Sequence, residues 1–126
     1  MLGGGVDIES YEKMTSVQQR EFNATINYLG WNELREDEVD YNWGPTDNDI
    51  AFAKKHNMEP LGHPLVWCQG MPDWIQNRSF EKQELTTTMV EHIKAVVDRY
   101  KRDIKIWSVV NEAFHPGILR YSMQAM

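Results

Sequence analysis

The sequence predicts an α/β fold built from βαβ units around a parallel sheet, and three observations carry that expectation. Short apolar runs alternate with longer segments of helical period. The longest such segment, from about Lys82 to Tyr100, repeats Met89, Ile93, Val96, Val97 and Tyr100 at helical spacing with charged residues between. The run Ile104-Lys-Ile-Trp-Ser-Val-Val-Asn-Glu112 is nearly continuously apolar before it ends in an amide and a carboxyl, as strands buried on both faces do.

Taken in order, a first helix is expected from about Ser10 to Arg20, with Tyr11, Met14, Val17 and Phe22 near one face. It leads into Phe22-Asn-Ala-Thr-Ile-Asn27, expected as a short buried strand. Around Trp31, Tyr41 and Trp43 the chain gathers Glu33, Glu36, Asp37, Glu38 and Asp40, a charge cluster that reads as a solvated loop. Thr46 or Asp47, both good N-cap types, is expected to open a second helix that carries Ile50, Phe52 and Ala53 and ends around Asn57. The segment Glu59-Pro-Leu-Gly-His-Pro-Leu-Val-Trp67 follows as a strand. It should be short or irregular, because Pro60 and Pro64 cannot donate to a ladder.

Composition sets the outer limits. Of 126 residues, 41% are hydrophobic and 25% charged, values of an ordinary folded domain rather than of a disordered or membrane chain. A net charge of -6 argues against a nucleic acid or an anionic membrane as partner and favours a neutral or cationic one. The single cysteine, Cys68, excludes an internal disulfide. Met1 to Asp7 lack a basic segment followed by a long apolar run, which leaves secretion open. His56, His63, His92 and His115 fall on different elements, so no metal is expected. Gly3-Gly-Gly5 lacks the pattern of a phosphate loop. The sequons Asn23-Ala-Thr25 and Asn77-Arg-Ser79 read as chance tripeptides, the first within an expected strand. Trp31, Trp43, Trp67, Trp74 and Trp107 suit cores and sugar rings equally.

One placement points to chemistry. A strand apolar along its length that delivers Asn111 and Glu112 at its C-terminal end has the layout of a barrel active site. The neighbours Val109, Val110, Ala113 and Phe114 would give the carboxyl an apolar setting, which disfavours its charged form and suits a general acid. A lone glutamate there also fits a cap or an ion pair. His63, between a glycine and a proline near the end of the preceding strand, fits either the same mouth or a hydrogen-bonded structural role.

Two longer motifs, in order and at matching spacing, add a resemblance. Gly62-His-Pro-Leu-Val-Trp67 with Met71-Pro-Asp-Trp74, and Trp107-Ser-Val-Val-Asn-Glu-Ala113, resemble the Gly-His-Thr-Leu-Val-Trp and Trp-Asp-Val-Val-Asn-Glu-Ala segments of glycoside hydrolase family 10, the endo-1,4-β-xylanases. Arg20-Glu-Phe-Asn23, Tyr41-Asn-Trp43 with Asp47, Phe52-Ala-Lys54, Arg99-Tyr100 and Leu119-Arg-Tyr-Ser122 are weaker matches. The resemblance implies a partial (β/α)8 barrel of about strands one to four, with residues 1–126 as one partial catalytic domain. It implies Glu112 as the general acid/base, Asn111, His63, Trp67 and Asn27 as substrate-binding residues, no cofactor or metal, and a polysaccharide such as xylan as partner. It further implies retaining chemistry with a nucleophile on a later strand beyond Met126, and a secreted or cell-surface location.

The chain departs from the pattern at three places. Ile26 stands where the family has glutamate, Gly30 where it has lysine, and Gly70 where it has glutamine, unless a one-residue loop shift lets Gln69 serve. A retaining barrel glycosidase of other specificity, or a non-catalytic carbohydrate-binding or structural module, therefore stands beside the xylanase. Half a barrel would also expose strand edges, so self-association is expected.

Overall fold

The computed structural model describes residues 21–113. The helix expected over Ser10 to Arg20, the first barrel strand, Gly3-Gly-Gly5, Phe114, His115 and Leu119 to Ser122 lie outside them. The described elements are β1 (Ala24–Asn27), α1 (Trp31–Leu34), α2 (Gly44–Lys55), β2 (Glu59–Gly62), β3 (Val66–Trp67), α3 (Asp73–Gln76), α4 (Lys82–Tyr100), β4 (Ile106–Trp107) and β5 (Val110–Asn111).

Every strand pairing is parallel. A three-stranded sheet runs β1-β2-β4, and β3 pairs with β5. The expected strand from Glu59 to Trp67 is irregular: Pro60 sits within β2 in register with Thr25, and the strand splits into β2 and β3 around Pro64. Its partner splits at the same level into β4 and β5. Gly62 stands opposite Trp107 and Val66 opposite Val110, so His63, Pro64 and Leu65 face only Ser108 and Val109. This is a bulge of one residue. Hydrogen bonds hold both of its sides: Ser108 N–H donates to Gly62 C=O at 2.8 Å, Leu65 N–H to Ser108 C=O at 3.0 Å and Val66 N–H to Val109 C=O at 2.9 Å. Pro64, with no N–H to place, sits in the gap. At Gly62 the chain admits no side chain, since a Cβ would lie 2.8 Å from Trp107 Cε3 and 2.9 Å from Leu29 Cδ1.

Three expected boundaries differ. The first strand begins at Ala24, so Phe22 and Asn23 precede it and are exposed rather than buried. α2 begins at Gly44, before the expected Thr46 or Asp47, because Pro45 suits the first turn and Asp47 is drawn into an interhelical pair instead of capping. Its far end matches: Asn57 adopts φ 55° as a left-handed cap, with Met58 N–H donating to Ala53 C=O and Asn57 N–H to Lys54 C=O. Finally, the run Ile104 to Glu112 is not buried on both faces. Ile104 is in the core, but Ile106 is 61% exposed and Val110 46%, because no further strand or helix covers that side among the described residues.

The core lies between sheet and helices. Leu29, Leu34, Ile50, Leu65, Val66, Val96, Tyr100 and Ile104 form one cluster, with Met89, Ile93, Val97 and Trp107 packed partly buried against it. α4 spans the expected residues, and its deepest face is His92, Val96 and Tyr100, one turn apart. At its C-terminal end Arg99 Nη2 donates to Asp47 Oδ2 at 2.5 Å and Tyr100 OH to Asp47 Oδ1 at 2.9 Å, joining α4 to the start of α2. Arg99 holds the Asp47 carboxyl below its usual range, while burial, then Asp47, pushes the Tyr100 hydroxyl up to about 12.

His92 organises the other end of α4. Its Nε2–H donates to the Leu29 carbonyl at 3.2 Å, and its Nδ1 lies 3.4 Å from Tyr41 OH. The ring stacks on Tyr41 with centroids 5.8 Å apart and leans on Trp31 at 5.3 Å; Tyr41 in turn stacks on Trp43 at 4.4 Å. Arg35 lies over Tyr41 and Trp74. The acidic residues beyond, from Glu36 to Asp40, are exposed as expected.

Burial, reinforced by the Arg35 charge, pulls the His92 imidazole down from 6.5 to about 4. Between those values the unfolded chain binds a proton that the folded chain refuses. The stabilisation is therefore complete above about pH 6.5 and is lost progressively as pH falls towards about 4. Urea unfolding followed by tryptophan fluorescence should show a loss of up to about 3 kcal/mol across that window, and His92→Gln should flatten it. An unchanged slope in the variant would place the titration elsewhere.

Candidate active site

The expected site residues all stand at C-terminal ends of parallel strands. Asn27 ends β1, His63 follows β2, Trp67 ends β3, and Asn111 and Glu112 close β5. The geometry arranges them in two levels. At the lower level Asn27 and Gly62 are opposite each other, and His63 N–H donates to Asn27 C=O at 2.9 Å. At the upper level Trp67 stands opposite Asn111.

Glu112 is one residue beyond that pair. Its Oε2 accepts a 2.9 Å hydrogen bond from Trp67 Nε1–H, a contact across 45 residues of sequence. The backbone turns sharply there, with Glu112 at φ 51°. The bond aims the carboxylate at the indole edge, so an aromatic ring and a carboxyl lie side by side. The apolar setting expected for Glu112 is not formed among the described residues, because Val109, Val110 and Ala113 are exposed; Phe114 lies outside them.

The remaining residues are placed differently. Asn111 is half-buried beside Trp67. His63 is half-buried, with its ring edge towards Tyr28 at a centroid distance of 6.4 Å. Asn27 is buried, and its Nδ2–H₂ donates back to Leu61 C=O at 3.2 Å and Thr25 Oγ1 at 3.4 Å. Its Oδ1 has no hydrogen-bond partner among the described residues. The structure thus joins Trp67 to Asn111 and Glu112 at one level, and His63 to Asn27 at the other.

At the three departures, Ile26 is half-buried in β1, and Gly30 and Gly70 come together around Asn32. Gly70 lies against Trp67, where a Cβ would be 3.2 Å from Cε3. No group of three or more histidine, cysteine or acidic residues converges as a metal site among the described residues. No helix among them is long and apolar enough to cross a membrane. A surface groove of about 580 Å³ between α2 and the end of α4 is bordered by Asp47, Ile50, Lys54, Tyr100 and Asp103, and by none of the residues above.

The family profile of Glycosyl hydrolase family 10 matches residues 4–125. The chain belongs to glycosyl hydrolase family 10. Endo-1,4-beta-xylanase B of Thermotoga neapolitana is 36% identical over 81% of this chain and 30% of its own length. Endo-1,4-beta-xylanase A of Halalkalibacterium halodurans is 32% identical over 90% of this chain and 34% of its own. Among solved structures, xylanase 10B of Thermotoga petrophila in complex with xylobiose superposes with a TM-score of 0.77 at 32% identity, covering 94% of this chain and 43% of that one. Native xylanase 10B of Thermotoga maritima gives 0.78 at 36% identity, covering 87% and 35%. The chain thus spans about a third of the curated relatives' length, and its parallel strands and helices are part of a (β/α)8 barrel.

The Trp67–Glu112 bond is directly testable in this family 10 chain. Glu112→Gln keeps the side chain's shape but weakens its acceptor, so the Trp67 indole N–H resonance should move markedly upfield while the other tryptophan resonances hold. An unmoved Trp67 signal would mean that the bond is not formed in solution.

Proposed function

We propose that this chain carries the acid/base part of a retaining endo-1,4-β-xylanase, with xylan as substrate. The supporting observation is the Trp67–Glu112 hydrogen bond at the C-terminal end of a parallel sheet, in a family 10 chain whose named relatives are xylanases. In this reading a xylose ring lies on Trp67 with Asn111 and His63 on its hydroxyls, and Glu112 donates its proton to the leaving glycosidic oxygen as a nucleophilic carboxylate attacks the anomeric carbon. The ionised Glu112 then takes a proton from the water that releases the glycosyl group. The nucleophile is assigned to a residue outside this chain. Residues 1–126 make one catalytic-domain segment, and the protein works outside the cell or on its surface, where xylan is.

In the full-length gene product, xylan hydrolysis should exceed that of mannan and β-glucan. Glu112→Ala should slow it about 10²- to 10⁴-fold, with the first step spared for aryl xylosides whose leaving groups need no proton. No activity on xylan would sink the xylanase reading, and hydrolysis unaffected by Glu112→Ala would sink the acid/base assignment.

The open side of the sheet supports a second proposal: the 126-residue chain self-associates through β4 and β5, where Ile106, Val109 and Val110 are exposed. Light scattering on a size-exclusion column should show mass rising with concentration, and Ile106→Lys with Val110→Lys should suppress it. A sharp monomeric peak at all concentrations would refute it.

A further inference from the structure

Gly30 opens α1 and Gly70 follows β3, and one side chain lies between them. A Cβ on Gly70 would stand 2.8 Å from Asn32 Oδ1 and 3.2 Å from Trp67 Cε3. A Cβ on Gly30 would stand 3.1 Å from the same Oδ1 and 3.7 Å from the Pro64 carbonyl oxygen. The Asn32 carboxamide therefore fills the space in which side chains at both positions would begin, and it does so beside the indole of Trp67.

Three contacts hold it there. Trp31, its neighbour, is 2% exposed and fixed against His92 and Trp74. Asn32 N–H donates to the Gly70 carbonyl at 3.4 Å, tying the loop after β1 to the loop after β3. Its Nδ2–H₂ donates to Glu33 Oε1 at 3.1 Å, which leaves Oδ1 directed at the two glycines. The residue itself is exposed, so the group is anchored by its backbone yet open to a ligand.

We propose that Asn32 is a substrate-binding, specificity-determining residue: its carboxamide hydrogen-bonds a hydroxyl of the saccharide that lies on Trp67. The inference rests on the sugar-binding reading of that mouth. A carboxamide accepts and donates at once, which matches a sugar hydroxyl, and being neutral it binds without the pH and salt dependence of an ammonium group. This corner then presents a neutral carboxamide where the family pattern has lysine and glutamine side chains, with Gly30 and Gly70 making room for Asn32.

Xylotriose titrated into the 126-residue chain, wild type and variants, tests this by tryptophan fluorescence and by the Asn32 side-chain amide resonances. Asn32→Ala should weaken binding about three- to tenfold with the circular dichroism spectrum unchanged, and Trp67→Ala should abolish binding. In the wild type the Asn32 amide signals should shift with the same saturation curve as the fluorescence. Binding lost in Trp67→Ala but unaltered in Asn32→Ala, with unmoved amide signals, overturns the role of Asn32 and leaves the sugar mouth standing. No binding to the wild type overturns both.

Discussion

The site depends on one missing hydrogen-bond donor. Pro64 cannot join the ladder between the strand from Glu59 to Trp67 and the strand from Ile106 to Asn111, and the chain absorbs the gap as a one-residue bulge. Had pairing continued unbroken from Gly62 and Trp107, residue 67 would face residue 112. The bulge sets Trp67 opposite Asn111 instead, with Glu112 one step further on. From there its carboxylate turns back to the indole N–H, beside the strand position of Asn111. A register shift of a single residue thus selects which group is the platform's neighbour and which reaches over it.

The helices stabilise that arrangement from behind. α4 reaches the loop after β1 through His92, whose imidazole satisfies the Leu29 carbonyl and carries the stack of Tyr41 and Trp43. Trp31 is clamped in the same cluster, so the residue after it, Asn32, is presented from a rigid base. Protonation of His92 would place a charge among aromatic rings with no carboxylate bonded to it. Acid instability and the geometry around Trp31 and Asn32 are consequently linked through one buried side chain.

Much of this was legible in the residues, for physical reasons that differ by element. α4 was legible because its apolar period persists over many turns. The irregularity of the strand from Glu59 to Trp67 was legible because proline's lack of a donor is a property of the residue alone. The start of α2 was not, since Asp47 is a good cap that Arg99 and Tyr100 recruit from 52 and 53 residues away. α1 and α3, four residues each, are too short for a period. Apolar continuity suggested burial of Ile106 and Val110, but burial is conferred by what packs on a strand rather than by its own composition. For the site, periodicity and spacing reached only a carboxyl at a strand end; motif resemblance added Trp67 to the same site, and the bond between Trp67 and Glu112 is visible only in the structure. Asn32 carried no sequence signal, because its position is defined by two glycines 40 residues apart that meet only in space.

The backbone at Glu112 lies in the left-handed region, which glycine enters freely, asparagine with little penalty and other residues at a cost of about 1 to 2 kcal/mol. Folding by itself therefore does not ask for glutamate at this position. The chain holds the Glu112 carboxyl on a strained turn, in a conformation that glycine or asparagine would adopt more readily. Under the proposed acid/base role, stability and chemistry pull this one position in opposite directions.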